Sequence, residues 1–331
     1  MMKSARIFLL LIGVLVVAAV ATSGYWFWTA NRLRDGLEEW AAQRRSQGYA
    51  LTWSRETIGG FPLSFRIALV DISMARGNAY HVDVPELIGV AWSWNLMRWH
   101  LTAPRGGSGT VQGIEAPITS QSALGEIMLG DTVSDFSISI LGLAGGGATA
   151  GELVAHVTVP RQVPRSHRDI GLLITAQLYH FVLPKPVIAL GNTIESFALD
   201  LAVMGRVPPE DWRRALAAWR DEGGTIEMKQ ADLQWGSLWL QMNGTLALDD
   251  DLQPAAAMTA SIIDHDALID AAMAAGTISQ KNGILVKLAL DLIARRQADG
   301  RMRLTAPVTL QGGELSIGRA TIGKVPRIEW R

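Results

Sequence analysis

The densest cluster of side chains that could do chemistry is Asp264-His265-Asp266. Carboxylates and imidazole are common ligands of divalent metals, so the cluster is a candidate metal site for a hydrolase. The same residues also suit the start of a helix over 265–275, because Asp is favoured as an N-cap and as first-turn negative charge. We favour the helix terminus, and we predict no catalytic residue, no metal and no cofactor.

Two other segments have the composition of known sites but not their spacing. Asp249, Asp250 and Asp251 lack the regular spacing and the distal Glu of a calcium loop, so they predict a polar hairpin turn. The Gly-rich segment 142–151 lacks the following Lys-Ser or Lys-Thr of a phosphate loop. There is no Gly-x-Ser-x-Gly motif. We therefore expect a protein that is not an enzyme.

Two segments are candidates for binding. The basic, Pro-rich loop PRQVPRSHRD has Arg161, Arg165 and Arg168 as candidate contacts to anionic lipid headgroups, with a solvated loop as the alternative. The segment AWSWNLMRWH carries three tryptophans that are candidates to line an apolar ligand groove: Trp92, Trp94 and Trp99. Core packing or cross-strand pairing is the alternative for these tryptophans.

Composition excludes several classes of partner and site. The 331 residues include 30 basic and 31 acidic side chains, and this near balance argues against a nucleic-acid partner. The absence of cysteine excludes disulfides and thiolate zinc sites.

The N-terminus predicts a membrane anchor. Residues 7–28 carry no charge, and as a helix they span about 33 Å, close to the roughly 30 Å hydrocarbon core. Lys3 and Arg6 precede the segment, and an aromatic run closes it. We predict a single-pass anchor over 1–28 in a bacterial inner membrane, with the body in the periplasm. A signal peptide cleaved near Ala19-Val20-Ala21 is the alternative.

The remaining pattern predicts a mainly β body, 50–331, after a juxtamembrane helix over 29–47. Apolar residues alternate along six runs, namely 63–69, 136–140, 197–203, 238–248, 286–292 and 302–310. One-faced strands indicate antiparallel pairing, so we expect a long curved antiparallel sheet packed on two or three helices. Two of these helices are predicted over 208–221 and 265–275, and a subdivision is predicted near 205–224.

The turn before the first long strand has a recognisable form. Gly59 and Gly60 permit the turn, Pro62 fixes its exit, and Phe61 is predicted to anchor it to the core. This turn resembles the start of the first long strand in the bacterial domain of unknown function 2125 family, whose members are membrane-anchored. Segments 243–279 and 299–328 resemble that family's hairpin, strand and helix and its closing strands. The resemblance implies no catalytic residue.

A weaker similarity extends to AsmA-like envelope proteins, which are associated with lipid homeostasis and lipid transfer along β grooves. It implies an anchored protein whose sheet binds lipid or another apolar ligand for envelope maintenance, which is our leading hypothesis. One alternative is a scaffold that binds an envelope protein through a sheet edge or the 208–221 helix. A metal-dependent hydrolase around His265 is the least favoured alternative.

Overall fold

The structure, a computed structural model, describes residues 2–111, 117–130, 133–207, 212–276, 278–296, 301–318 and 320–328. Its described residues form nineteen strands and four helices, and the recorded strand pairings are antiparallel. The predicted fold class, mainly β with a few helices after a long apolar helix, is therefore confirmed. The chain divides into two compact units, residues 1–132 and 133–331.

A single helix, α1 (Met2–Ser46), opens the first unit and covers residues 2–28 of the predicted anchor and 29–46 of the predicted juxtamembrane helix. No proline interrupts it, and Gly24 and Gly36 are tolerated inside it. Its portion Ile12–Ser46 is long and apolar enough to cross a membrane, with a mean hydropathy of 1.5 in its most apolar window. Among the described residues, this is the one helix that meets that criterion.

The first unit continues with eight strands: β1 (Ala50–Thr52), β2 (Arg55–Gly59), β3 (Ser64–Arg76), β4 (Tyr80–Trp92), β5 (Asn95–Ala103), β6 (Gly107–Val111), β7 (Ile118–Ser120) and β8 (Ser122–Leu129). β3 and β4 form a long hairpin in which Ser64 lies opposite Trp92 and Arg76 lies opposite Tyr80. β5 pairs with β4 on one side and with β8 on the other. The core of this unit includes residues of both α1 and the sheet: Trp26, Ala30, Phe65, Ala91 and Trp99.

The second unit contains the other strands and three helices: β9 (Val133–Gly145), β10 (Ala148–Thr158), β11 (Ile170–Val187), β12 (Gly191–Met204), α2 (Trp212–Asp221), β13 (Ile226–Trp235), β14 (Leu238–Leu248), β15 (Pro254–Ile263), α3 (His265–Ala274), α4 (Gln280–Ile293), β16 (Arg295–Arg296), β17 (Met302–Gln311), β18 (Glu314–Ile317) and β19 (Ala320–Lys324). From β9 to β15 each strand pairs with the next one along the chain. β17 then pairs with β15, and β18 and β19 follow.

Two helices predicted from sequence are confirmed as α2 and α3, with residues 208–211 lying outside the described part of the chain. The predicted strand at 286–292 is wrong, because this segment belongs to α4. Alternating leucines and valines also fit a helix when a cap defines its start, and the Ser279 side chain accepts a hydrogen bond from the backbone N–H of Asn282. The described residues of the second unit therefore form one more helix than the two that we placed from sequence.

The segment 205–224, where we predicted a subdivision, lies within the second unit. The strands before and after it, β12 and β13, pair directly, with Val203 opposite Ile226. The indole of Trp219 in α2 donates a hydrogen bond to the Met204 carbonyl at 2.7 Å. The sheet therefore continues past this segment. The two compact units meet in the sequence between residues 132 and 133.

Candidate functional site

The second unit has a sheet with one apolar face. Residues opposite each other on antiparallel strands project their side chains to the same side, so the strand register identifies each face. One transverse row consists of Ile140, Leu153, Leu178, Phe197, Leu233, Leu240, Ile262 and Leu304. A second row on the same face consists of Ile138, Ala155, Ala176, Leu199, Ala231, Met242, Ala260 and Ala306. The apolar face thus crosses eight strands.

The opposite face of this sheet is mostly polar. The row between the two apolar rows consists of Ser139, Val154, Gln177, Ala198, Asp232, Gln241, Ser261 and Thr305. Its polar groups bond to neighbours on the same face. Ser139 Oγ donates to a Glu152 carboxylate oxygen at 2.7 Å, and the Ser261 and Thr305 hydroxyls lie 2.9 Å apart. This face is therefore suited to water.

The apolar face is buried at one end and half-exposed at the other. On β15 and β17, Ala260, Ile262 and Leu304 are buried in a core that also contains Ala267 and Ala271 of α3. On β9 to β12 the side chains of the same rows are only half-buried. The transverse rows therefore continue from a closed core to accessible apolar surface.

Helices α3 and α4 bring together a second candidate site. One potential ligand atom from each of His265, Asp266 and Asp291 lies within 4.8 Å of the others. The buried His265 has its Nε2 3.1 Å from Asp291 Oδ1, whereas both carboxylates are exposed. Sequence reasoning missed Asp291 because its helix was interpreted as a strand. Asp264, predicted as the helix cap, has a left-handed backbone with φ of 58° and makes no side-chain capping bond.

Lys287 of α4 supplies positive charge beside this cluster. Its Nζ lies 2.8 Å from Asp270 Oδ1 and 3.8 Å from Asp266 Oδ1. The hydrogen bond to Asp270 raises the pKa of Lys287, and the charge of Asp266 adds to that effect. The ammonium group is therefore charged at neutral pH. Its positive charge balances the negative charge of the neighbouring carboxylates, which a bound metal ion would otherwise neutralise. The arrangement is that of an ion-pair network joining two helices.

The three arginines predicted to contact headgroups are exposed on the loop between β10 and β11. Asp169 shapes this loop, since its carboxylate accepts the backbone N–H groups of Arg165 at 2.8 Å and Ser166 at 3.0 Å. These two hydrogen bonds lower the pKa of Asp169. The loop presents Arg161, Arg165 and Arg168 to solvent, and headgroup binding by them stays a prediction.

The Gly-Phe-Pro turn joins β2 to β3, and Gly59 is the last residue of β2. Gly60 has φ of 98°, and a Cβ there would lie 2.6 Å from Ser64 Oγ and 2.7 Å from the Ser64 carbonyl oxygen. The Phe61–Pro62 peptide bond is cis. Phe61 was predicted to anchor the turn to the core, and its ring does contact the buried Trp26 edge-on, with centroids 5.6 Å apart. Phe61 is nevertheless 51% exposed, and the aromatic residue of this turn region that is fully buried is Phe65.

The structure separates the three tryptophans of the predicted groove. Trp99 is buried in the core of the first unit, and its indole N–H donates to the Leu96 carbonyl at 2.9 Å. Trp92 and Trp94 are exposed and stack on each other with ring centroids 5.0 Å apart. Only these two share a surface, and it lies at the β4–β5 hairpin.

Comparison with protein families shows the family of this chain. A family model described as "Uncharacterized protein conserved in bacteria (DUF2125)" matches residues 26–326. The match includes the Gly-Phe-Pro turn and almost all of the two later segments that carried the sequence resemblance. No curated protein and no solved structure matches the chain.

Proposed function

We propose, on the premise that the chain belongs to the DUF2125 family of proteins conserved in bacteria, that it is a membrane-anchored, non-enzymatic protein of the cell envelope. Its half-exposed sheet face in the second unit binds lipid acyl chains or another apolar ligand. We place the protein in the inner membrane with its body in the periplasm, in a role in envelope maintenance.

One observation carries this proposal, namely the apolar face that begins in a closed core and continues half-exposed over β9 to β12. Soluble proteins rarely leave contiguous apolar surface accessible unless a ligand, a partner or a membrane covers it. Phe197, Leu199 and Leu201 lie on the half-exposed part, and each belongs to the same side of β12. The two apolar rows contain no charged residue, so the surface offers apolar contacts across the strands.

The thermodynamics of such a face favour exchange with a membrane. Each methylene removed from water contributes about 0.8 kcal/mol, so an acyl chain strongly prefers the face to water. A bilayer interior is about as apolar as a leucine side chain, so moving the same chain from bilayer to protein changes the free energy little. A face of this kind therefore accepts and releases lipid more readily than it retains it.

The anchor part of the proposal rests on α1. The helix has an exposed apolar segment, with Lys3 and Arg6 before it as expected of a cytoplasmic flank. Beyond that segment, Trp26, Thr29, Ala30 and Ala41 are buried against the first unit. We propose that α1 is retained and not cleaved, because it serves both as membrane span and as part of a protein core.

The charged groups of α3 and α4 support a role without catalysis. His265 Nε2 pairs with Asp291 and the Lys287 ammonium pairs with Asp270, whereas the buried Nδ1 of His265 has no hydrogen-bond partner. A catalytic or metal-binding set usually has groups directed at an accessible cavity. These ion pairs attach α4 to α3, and this structural role accounts for the geometry of the network.

Native mass spectrometry of the full chain, extracted in mild detergent, tests the lipid-binding proposal. Ala176→Glu places a carboxylate in the second apolar row, whereas Gln177→Glu places one on the polar face of the same strand. We expect phospholipid to co-purify with the wild type and with Gln177→Glu, and to be depleted from Ala176→Glu. Equal lipid in all three proteins, with unchanged thermal unfolding, would exclude the apolar face as the binding site.

A further inference from the structure

Two loops of the first unit carry a cluster of largely exposed apolar side chains. Phe61 and Leu63 lie in the turn between β2 and β3, and Trp92, Trp94 and Met97 lie at the β4–β5 hairpin. Each of the five is between 50% and 69% exposed. We call these five side chains the apolar collar. No charged residue lies in 57–65 or in 88–97, the segments that carry it.

Direct contacts place the collar beside one short stretch of α1. The Phe27 and Phe61 rings stack with centroids 5.9 Å apart, and the Tyr25 hydroxyl donates to the Ser93 carbonyl at 2.9 Å. Ser93 also ties the two loops together. Its Oγ donates to the Pro62 carbonyl at 2.9 Å, and its N–H donates to the Leu63 carbonyl at 3.0 Å. The collar is therefore fixed at the level of Tyr25 and Phe27.

That level is where α1 changes its surroundings. Val14, Val17 and Val20 are between 66% and 69% exposed, as expected of a helix surface that faces lipid. From Trp26 onward one side of the helix is buried against the sheet. The collar thus lies at the end of the segment that faces lipid, where Trp and Tyr are favoured because their rings are apolar and their N–H or O–H groups are polar.

We propose that the apolar collar inserts into the interfacial region of the same bilayer that α1 spans, and that it holds the first unit against the membrane. This inference rests on the membrane anchor of the proposed function. A bilayer fits the collar because its apolar surface continues that of the exposed helix segment and because its loops have no charge to desolvate. Insertion of the collar does not require that the apolar sheet face of the second unit binds lipid.

The β3–β4 hairpin is long enough to provide a control position far from the collar. Its collar end is at Ser64 and Trp92, and its other end is at the turn that contains Asn78. With a rise of about 3.3 Å per residue, twelve residues of β3 separate the two ends by about 40 Å. Asn78 is exposed, so it is a matched control on the same pair of strands.

The test uses the full chain, which has no native cysteine, reconstituted in vesicles of phosphatidylcholine and phosphatidylglycerol. Single cysteines replace Trp94, Met97, Asn78 or Val17 and carry an environment-sensitive fluorophore. Lipids with a nitroxide near the headgroup or deep in the acyl chain quench it. We expect the Trp94→Cys and Met97→Cys labels to lose fluorescence with the shallow quencher, and the Asn78→Cys label to be unaffected.

The Val17→Cys label separates failure of this inference from failure of the anchor. If the deep quencher acts on Val17→Cys but neither quencher acts on Trp94→Cys and Met97→Cys, the collar does not contact lipid and the inference is overturned. In that case we measure energy transfer between labelled copies. Transfer that rises with protein density identifies a second copy of the chain as what covers the collar. If Val17→Cys is not quenched either, the anchor itself is contradicted. A folding defect in Trp94→Cys leaves Met97→Cys as the deciding variant.

Discussion

The indole ring of Trp26 lies parallel to the ring of Phe65, with 5.3 Å between the centroids and 8° between the planes. Trp26 belongs to α1 and Phe65 to β3, so the helix that we assign to the membrane also fills the core of the first unit. The Trp26 indole N–H donates to the Ser64 carbonyl at 2.8 Å, which fixes the ring. The anchor and the sheet are therefore joined by packing and not by a linker.

Replacing Trp26 with Ala removes this packing. We expect the free energy of unfolding to fall by about 3–5 kcal/mol, the usual cost of deleting a large buried aromatic ring. The measurement is denaturant unfolding of the full chain in mild detergent, followed by pulse proteolysis. Trp28→Ala is the control, because Trp28 lies on the same helix and is exposed. Similar losses in both variants would show that α1 does not belong to the core.

Gly60 is the second position where the structure makes a clear prediction. Gly60→Ala forces a side chain into a backbone with positive φ and into contact with Ser64, so we expect a destabilisation of about 1–3 kcal/mol. Gly59→Ala is the control, since a Cβ at Gly59 meets nothing within 4 Å. Thermal unfolding compares the two variants. A Gly60→Ala midpoint equal to that of Gly59→Ala contradicts the turn geometry.

Lys287→Met tests the interpretation of the acidic cluster as an ion-pair network. We expect a loss of at most about 1 kcal/mol, because the pair is partly exposed to solvent. Since the pKa of Lys287 is raised above its ordinary value of 10.5, its contribution is fully present below that value and is lost as the pH rises through the higher folded value. The difference from wild type should thus be constant from about pH 7 to about pH 10 and then shrink.

Lys281→Met, on an exposed position of the same helix, is the control for Lys287→Met and should change stability little. Both variants are also measured with added zinc. If the cluster of His265, Asp266 and Asp291 is an ion-pair network, zinc leaves the wild-type unfolding midpoint unchanged. A large zinc-dependent rise in the wild type would instead support the metal site that we disfavoured.

The strands were the most predictable part of the fold, because alternation with period two places apolar residues on one side. The predicted alternation corresponds to a strand in β3, β9, β12, β14 and β17. It failed at 286–292, where leucines at 285 and 288 also have helical spacing and a cap at Ser279 decides between the two structures. Asp291 was missed for the same reason, since a residue assigned to a strand is not expected beside His265.

The candidate sites were less predictable, because long-range pairing creates them. Trp92, Trp94 and Trp99 lie in one short segment, yet Trp99 is buried in the core beside α1 and the other two are exposed. Nothing in their local sequence distinguishes these environments. The apolar rows of the second unit likewise follow from the register of eight strands, and a single strand such as β12 shows only that one of its sides is apolar.

Photo-crosslinking in intact cells tests the central claim, that the half-exposed apolar face binds lipid. Benzoylphenylalanine replaces Phe197 in an apolar row or Tyr179 on the polar side of the neighbouring strand, and both positions are half-buried aromatic residues. We predict that irradiation of cells grown with labelled phosphate links phospholipid to the Phe197 variant and not to the Tyr179 variant. Equal labelling at the two positions, or no labelled lipid at Phe197, would contradict the account.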